Sequence, residues 1–197
     1  MKIKQGVYYF PEALSKNETD LIRQEVKKIA AQAPFFTPKM PKTGKEFSVK
    51  MTNAGALGWV SDQEGGYRYQ DFHPKTKKPW PEIPEIILTK WRKYAKMGLE
   101  PDCCLINHYD LDAKMGLHTD NDEKDFSFPV LSFSLGASAL FRIGGLARND
   151  KTSSLRLNDG DIVMFGGQSR LIYHGIDRVY KNSGFDHRLN LTLRKVV

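Results

Sequence analysis

Three side chains in the C-terminal half have the types and spacing to grip a divalent cation: His118 and Asp120, two residues apart, and a separate His174. In an extended segment residues at i and i+2 point the same way, so His118 and Asp120 can bite one ion while Thr119 points away. His174 must arrive from another strand or turn, after the Phe165-Gly166-Gly167 corner, to complete a face of three ligands. Two imidazoles and a carboxylate on one face of an octahedral Fe(II) leave three positions open for a cosubstrate and O2, although zinc fits the same donors. A single His-x-Asp tripeptide is common on surfaces and in turns; the second histidine and an anion-binding strand are what give it weight.

That strand closes the chain. Arg188-Leu189-Asn190-Leu191-Thr192-Leu193-Arg194 alternates strictly, so two arginines, an amide and a hydroxyl leave one face and three leucines the other. A planar guanidinium fork suits a carboxylate in bidentate geometry. Two arginines turned inward require anions, either acidic residues or a dicarboxylic ligand, because a buried unpaired charge is very costly. The competing reading is an edge strand with a solvated basic face. Asn107 and Tyr109, again at i and i+2 and just ahead of the metal candidates, offer the amide and hydroxyl that a chelating keto acid needs.

Asn107-His108-Tyr109, His118-Thr119-Asp120, His174 and the arginine strand together resemble the signature of the AlkB family of Fe(II)- and 2-oxoglutarate-dependent dioxygenases. The likeness runs from about Val49 to the C-terminus, through Met51-Thr52-Asn53, Leu57-Gly58-Trp59, Lys78-Pro79-Trp80-Pro81 and Gly144-Gly145-Leu146. It implies a mainly β fold with flanking helices (α+β), a double-stranded β-helix or jelly-roll with the helices outside one sheet. It implies one dioxygenase domain over residues 1–197, with N-terminal helices and a nucleotide-recognition lid in 1–100 and the catalytic jelly-roll core in 101–197.

By the same resemblance His118, Asp120 and His174 are the catalytic iron ligands. Asn107, Tyr109, Arg188, Asn190 and Arg194 are the 2-oxoglutarate contacts, with Arg188 clamping the distal carboxylate and Arg194 nearer the iron-chelating end. Fe(II), 2-oxoglutarate and O2 are the implied cofactors. The implied reaction is oxidative dealkylation of N1-methyladenine and N3-methylcytosine in DNA or RNA, a repair of alkylation damage that releases formaldehyde, succinate and CO2. Such a base must be flipped out and stacked. Trp59 resembles the stacking aromatic opposite His118, Tyr67 and Tyr69 the lid and phosphate contacts, Asp122 a reader of the base edge and Arg148 a phosphate contact. For Tyr69 and Trp80, packing in the core fits as well. Residues 39–47 and the Gly65-Gly66 pair depart from the family pattern. Two rival readings are an AlkB-type oxygenase acting on tRNA or protein and a non-catalytic jelly-roll binding module that keeps a metal; the second predicts a missing ligand or clamp arginine, and none is missing.

Composition fits this picture. With 197 residues, 40% of them hydrophobic, the chain can build a real core but is short for two domains. A net charge of +7 and pI near 9.3 favour an anionic partner such as nucleic acid. Adjacent Cys103 and Cys104 leave opposite faces of a strand, which argues against a disulfide framework and against a zinc ribbon or finger. No apolar run is long enough to span a bilayer and the opening residues lack a signal-peptide core, so a cytoplasmic, monomeric protein without a membrane partner is expected.

The positioning elements follow from local patterns. Gly6 to Phe10 reads as an edge strand. Ser15 and Glu18 form a capping box opening a helix through about Gln32, with an apolar stripe of Leu21, Ile22, Val26, Ile29 and Ala30. Residues 34–47 read as a mobile basic loop and Trp59 to Pro84 as an aromatic loop. Pro84 opens a second helix that Gly98 ends. Strands are expected at Cys103–Tyr109, Val130–Leu135, Ala139–Ile143, Ser154–Leu157, Ile162–Phe165 and His187–Lys195, separated by glycine turns.

Overall fold

The computed structural model describes residues 1–181 and 184–197. The chain runs through β1 (Lys2–Lys4), β2 (Val7–Phe10), α1 (Lys16–Gln32), β3 (Val49–Ala54), β4 (Gly58–Asp62), β5 (Gly66–Gln70), α2 (Glu85–Ala95), β6 (Cys103–Asp110) and β7 (Met115–His118). It continues through β8 (Val130–Gly136), β9 (Ala139–Ile143), β10 (Ser153–Leu157), β11 (Ile162–Phe165), a single 3-10 turn (Gly167–Ser169), β12 (His174–Val179) and β13 (His187–Arg194). A seven-stranded sheet in the order β1-β2-β11-β8-β13-β6-β3 faces a four-stranded sheet in the order β10-β9-β12-β7, and β4-β5 form a separate hairpin. Three strands of the large sheet, β1, β2 and β3, come from the first hundred residues. The arrangement is the mainly β, two-sheet architecture with flanking helices that the family resemblance implies.

The alternation of β13 is explained by its place. It lies between β8 and β6, antiparallel to both, and is buried on both faces from Arg188 to Arg194. Leu189, Leu191 and Leu193 join Ile22, Val26 and Ile29 of α1 and Ile87 and Trp91 of α2 in one apolar cluster on the outer face of the large sheet. Fully burying each leucine is worth about 1.5–3 kcal/mol. The inner, polar face looks toward the small sheet, across a second cluster that includes Cys103, Leu105, Phe141, Phe165 and Ile176. A solvated edge strand is thereby ruled out. Cys103 and Cys104 fall in different clusters on opposite faces and remain free thiols.

The capping box forms as expected: the Glu18 amide donates to Ser15 Oγ at 3.3 Å and the Ser15 amide to Glu18 Oε2 at 2.8 Å. Lys90 of α2 also binds Glu18, joining the two helices, and with the Ser15 amide it holds the Glu18 carboxyl down to about 2.

Four local expectations are corrected. Leu21 is exposed, because the buried stripe of α1 consists of Thr19, Ile22, Val26 and Ile29. Lys96, in the left-handed region, ends α2, not Gly98. Residues 34–47 are pinned: Phe36 is buried and exchanges both backbone hydrogen bonds with Met51, while Lys39 pairs with Glu46. The stretch after Trp59 opens with the β4–β5 hairpin, in which Trp59 and Tyr69 are directly paired. Asn53 holds this hairpin to β3, its side chain accepting from the Trp59 amide at 3.0 Å and donating to the Trp59 carbonyl at 3.1 Å. Among the described residues no helix is long and apolar enough to cross a membrane.

Gly58 starts the hairpin under the buried Trp80 ring, where an added Cβ would lie 2.3 Å from the indole. Gly58→Ala is therefore expected to destabilise the fold by about 1–3 kcal/mol, the usual cost of overpacking. Thermal unfolding tests this; an unchanged melting temperature would mean that Trp80 yields freely and does not fix the hairpin.

Candidate metal and cosubstrate site

β7 and β12 bring the two histidines together, for His174 is the cross-strand partner of His118 and their ring centroids are 4.5 Å apart. Gly175 permits this: a Cβ there would sit 2.5 Å from the Met115 carbonyl oxygen, so only glycine lets the strands approach so closely. Asp120, two residues past the end of β7, completes the set. Its carboxylate lies 3.8 Å from His118 Nε2 and 3.7 Å from His174 Nε2, and one ligand atom from each of the three residues falls within 4.8 Å of the others. Each imidazole uses Nδ1 toward a backbone carbonyl, Gly116 for His118 at 2.9 Å and Ile172 for His174 at 3.1 Å. This assigns the proton to Nδ1 and turns both Nε2 lone pairs to the same point, the orientation that a metal requires.

The electrostatics agree. Burial, with His118 beside it, pushes His174 down to about 4, so it is a neutral ligand at physiological pH. Burial pushes the Asp120 carboxyl up, but Arg194 and the two histidines outweigh it and hold the group well below the ordinary carboxylate range. Arg194 Nη2 donates to Asp120 Oδ1 at 2.8 Å.

The arginine strand and β6 form the floor. Arg188 pairs across the sheet with Tyr109, and Asn190 with Asn107. Arg188 is 1% exposed, donates from Nη2 to Ser134 Oγ at 2.8 Å and lies over the Tyr109 ring at 5.1 Å. Among the described residues no carboxylate partners it, and its Nε and Nη1, like Asn107 Oδ1 and Asp120 Oδ2, are buried without a hydrogen-bond partner. Buried donors of this kind are normally satisfied. A dicarboxylate on Arg188 and a divalent cation on Asp120 fit these atoms, so the donor set suits both groups. Asn190 differs: Nδ2 serves Ser132 Oγ and the Phe133 carbonyl, and Oδ1 accepts from Asn107 and Thr192. Its amide is committed to the protein, and it reaches the cavity as a wall that orients Asn107.

His118, Asp120, His174, Asn107, Tyr109, Arg188, Asn190 and Arg194 border one cavity of about 320 Å³, whose mouth also carries Trp59, Tyr67, Asp122 and Arg148. Trp59 stacks on exposed Tyr67, with centroids 5.7 Å apart and planes 21° apart, and Phe47 from the pinned segment meets its edge at 6.3 Å. Asp122 accepts the Trp59 Nε1 proton at 2.7 Å, so one of its oxygens already serves the indole. Arg148 donates to the Leu117 carbonyl at 3.0 Å and stands 5.8 Å from the Tyr173 ring at the rim. Tyr69 turns inward, away from the lid position, to Glu123 and Arg194, and Trp80 packs in the core with Nε1 donating to the Gln70 carbonyl. Sequence reasoning missed Glu123 and Arg170. The acidic run Asp120-Asn121-Asp122-Glu123 was a signal for the first, but nothing local marks the second.

The comparisons with known proteins agree with this geometry. A family model described as the 2OG-Fe(II) oxygenase superfamily matches residues 6–194. The chain is 49% identical over 170 residues to a Caulobacter vibrioides protein named alpha-ketoglutarate-dependent dioxygenase AlkB homolog, covering 84% of this chain and 76% of the relative. It is 41% identical over 188 residues to the Escherichia coli alpha-ketoglutarate-dependent dioxygenase AlkB, covering 91% and 85%. The solved structure of OsALKBH1 matches with a TM-score of 0.78 at 31% sequence identity, over 99% of this chain and all of that one. Site, fold and relatives converge: the chain belongs to the 2OG-Fe(II) oxygenase superfamily, and within it is an AlkB-type alpha-ketoglutarate-dependent dioxygenase that works with Fe(II), 2-oxoglutarate and O2.

Proposed function

We propose that this dioxygenase removes alkyl groups from N-alkylated nucleobases, such as N1-methyladenine and N3-methylcytosine, in DNA or RNA. The observation that carries the reading is the layout of the cavity, with a buried guanidinium at its floor whose Nε and Nη1 have no partner among the described residues, three candidate metal donors and, at the mouth, Trp59, Tyr67 and Arg148. When bound, Fe(II) and 2-oxoglutarate would let O2 serve as the oxidant: one oxygen atom would go into succinate as 2-oxoglutarate loses CO2, and the other into an N-methyl group that then leaves as formaldehyde.

The residues of the chain do the rest. His118, Asp120 and His174 hold the metal from one side. Arg188 clamps the distal carboxylate, Tyr109 and Asn107 line its path, and Arg194 fixes the Asp120 oxygen that faces it. Trp59, locked by Asp122 and backed by Tyr67, presents a flat face on which an extruded base stacks, while Arg148 attracts phosphate. Formaldehyde and succinate release from methylated DNA, methylated RNA and methylated peptides, each with Fe(II) or 2-oxoglutarate present or withheld, tests the proposal. Release from peptides alone would overturn it.

His118→Ala is expected to abolish succinate formation and leave the fold intact, since the ring is half-exposed. Asp120→Ala should abolish turnover and also lower stability by about 1–3 kcal/mol, because it takes away the carboxylate that Arg194 donates to. Near-wild-type succinate formation by either variant would remove that residue from the metal site. Arg188→Lys replaces a fork with a point charge, and losing a charge-assisted contact of about 1.5–3 kcal/mol should raise the KM for 2-oxoglutarate roughly 10- to 100-fold. Titration of the cosubstrate decides this, and an unchanged KM would sink the clamp.

The two kinds of contact at the mouth should separate. Trp59→Ala is expected to lose about 1–3 kcal/mol of stacking and lower turnover without altering the salt dependence of oligonucleotide binding. Arg148→Ala should weaken binding to any strand and flatten the slope of log K against log salt by about 0.7–0.9, one phosphate contact. Full activity in the first variant, or an unaltered slope in the second, would take that residue out of the mouth.

A further inference from the structure

Tyr69 does not border the cavity, yet its hydroxyl touches both sides of the site. Its ring belongs to the β4–β5 hairpin, where it is the direct cross-strand partner of Trp59. The hydroxyl donates to Glu123 Oε1 at 2.5 Å and accepts from Arg194 Nη1 at 3.0 Å, while Arg194 Nη2 holds Asp120. Burial first, with Glu123 adding to it, holds the phenol far above its usual range, so it remains a neutral hydroxyl able to donate and accept at once. Glu123 is fully buried and also binds Arg170 at 3.0 Å, and Arg170 Nη1 donates to the Asp120 carbonyl at 2.7 Å. Asp120 is thus held twice, by its carboxylate through Arg194 and by its backbone through Arg170. The hairpin is likewise bolted twice to the same short loop, by Trp59 to Asp122 and by Tyr69 to Glu123.

We propose that Tyr69 is a positioning residue that couples the substrate-facing hairpin to the cosubstrate end of the site. Its hydroxyl sets the angle of Arg194 and Glu123, and through them the Asp120 carboxylate. A side chain on the hairpin therefore governs affinity for 2-oxoglutarate without touching it. The inference rests on the placement of metal and cosubstrate at Asp120, Arg188 and Arg194, and not on the identity of the methylated substrate.

The test is 2-oxoglutarate affinity of Mn(II)-loaded protein, measured by calorimetry without turnover. Tyr69→Phe keeps the ring and removes only the hydroxyl that meets two charged groups, so its dissociation constant is expected to rise about tenfold. Tyr67→Ala, on the same hairpin but facing the mouth, should leave that constant unchanged while weakening binding of a methylated oligonucleotide. Arg188→Lys is the reference for the site assignment. If it weakens 2-oxoglutarate and Tyr69→Phe does not, the coupling is wrong and the site stands; if Arg188→Lys has no effect, the site assignment itself fails. Equal weakening by Tyr69→Phe and Tyr67→Ala would also overturn the proposal, since any disturbance of the hairpin would then suffice. Should Tyr69→Phe unfold, Glu123→Gln strips the charge from the acceptor of the same contact and weakens it, and an unchanged dissociation constant there counts against the proposal.

Discussion

The structure depends on burying charge between two sheets. Asp120, Glu123, Arg170 and Arg194 have side chains at most 7% exposed, two of each sign, and each is tied to another of the four. Charges taken out of water cost several kcal/mol apiece unless they are paired and hydrogen-bonded, and removing one partner is more damaging than never having had the pair. The cluster is therefore all-or-none. It fixes the loop from Asp120 to Glu123, and with it the Asp120 carboxylate, the Asp122 anchor of the Trp59 indole and the Arg194 guanidinium. Arg188 is the exception, a guanidinium buried without a carboxylate, and that imbalance singles it out for a ligand.

Chemistry is distributed over this frame by register. On the large sheet the pairings Arg188 with Tyr109 and Asn190 with Asn107 gather the polar floor, while on the small sheet His174 with His118 gathers the imidazoles. In each case the residues are neighbours across strands, far apart in sequence. The floor lies on β13 and β6, both interior strands of the large sheet, whereas the mouth is built from a two-stranded hairpin and an irregular segment pinned by a few backbone bonds.

Much that depended on short-range pattern was legible in the sequence, although the Leu21 place in the α1 stripe and the end of α2 were misjudged. The β13 alternation, the His118-x-Asp120 bite, the Ser15–Glu18 capping box and the opposed cysteines all follow from period and spacing, and the structure has each. The hairpin β4–β5 was not legible, because its strands are short and mix Gly58, Ser61, Asp62 and Arg68 with the aromatics, erasing the period. β7 and β12 are hidden for a similar reason, since Gly116, Gly175, Asp177 and Arg178 interrupt them. Arg170 and Glu123 act through register and loop closure, which no local window encodes. The saturation of the Asn190 amide is of the same kind, since it needs partners from three other strand positions.

β7 is an outer strand of the small sheet and, among the described residues, pairs only with β12. It carries His118, while β12 carries His174 and the loop beyond β7 carries Asp120. An ion shared by these three therefore staples a sheet margin to its neighbour, and its binding free energy becomes free energy of local order, in the way any ligand specific to the folded form adds to stability. Losing the ion would loosen the margin before the core, exposing the unpaired backbone groups that an edge strand offers to another chain. In this fold, filling the three-donor cluster would also guard a sheet margin.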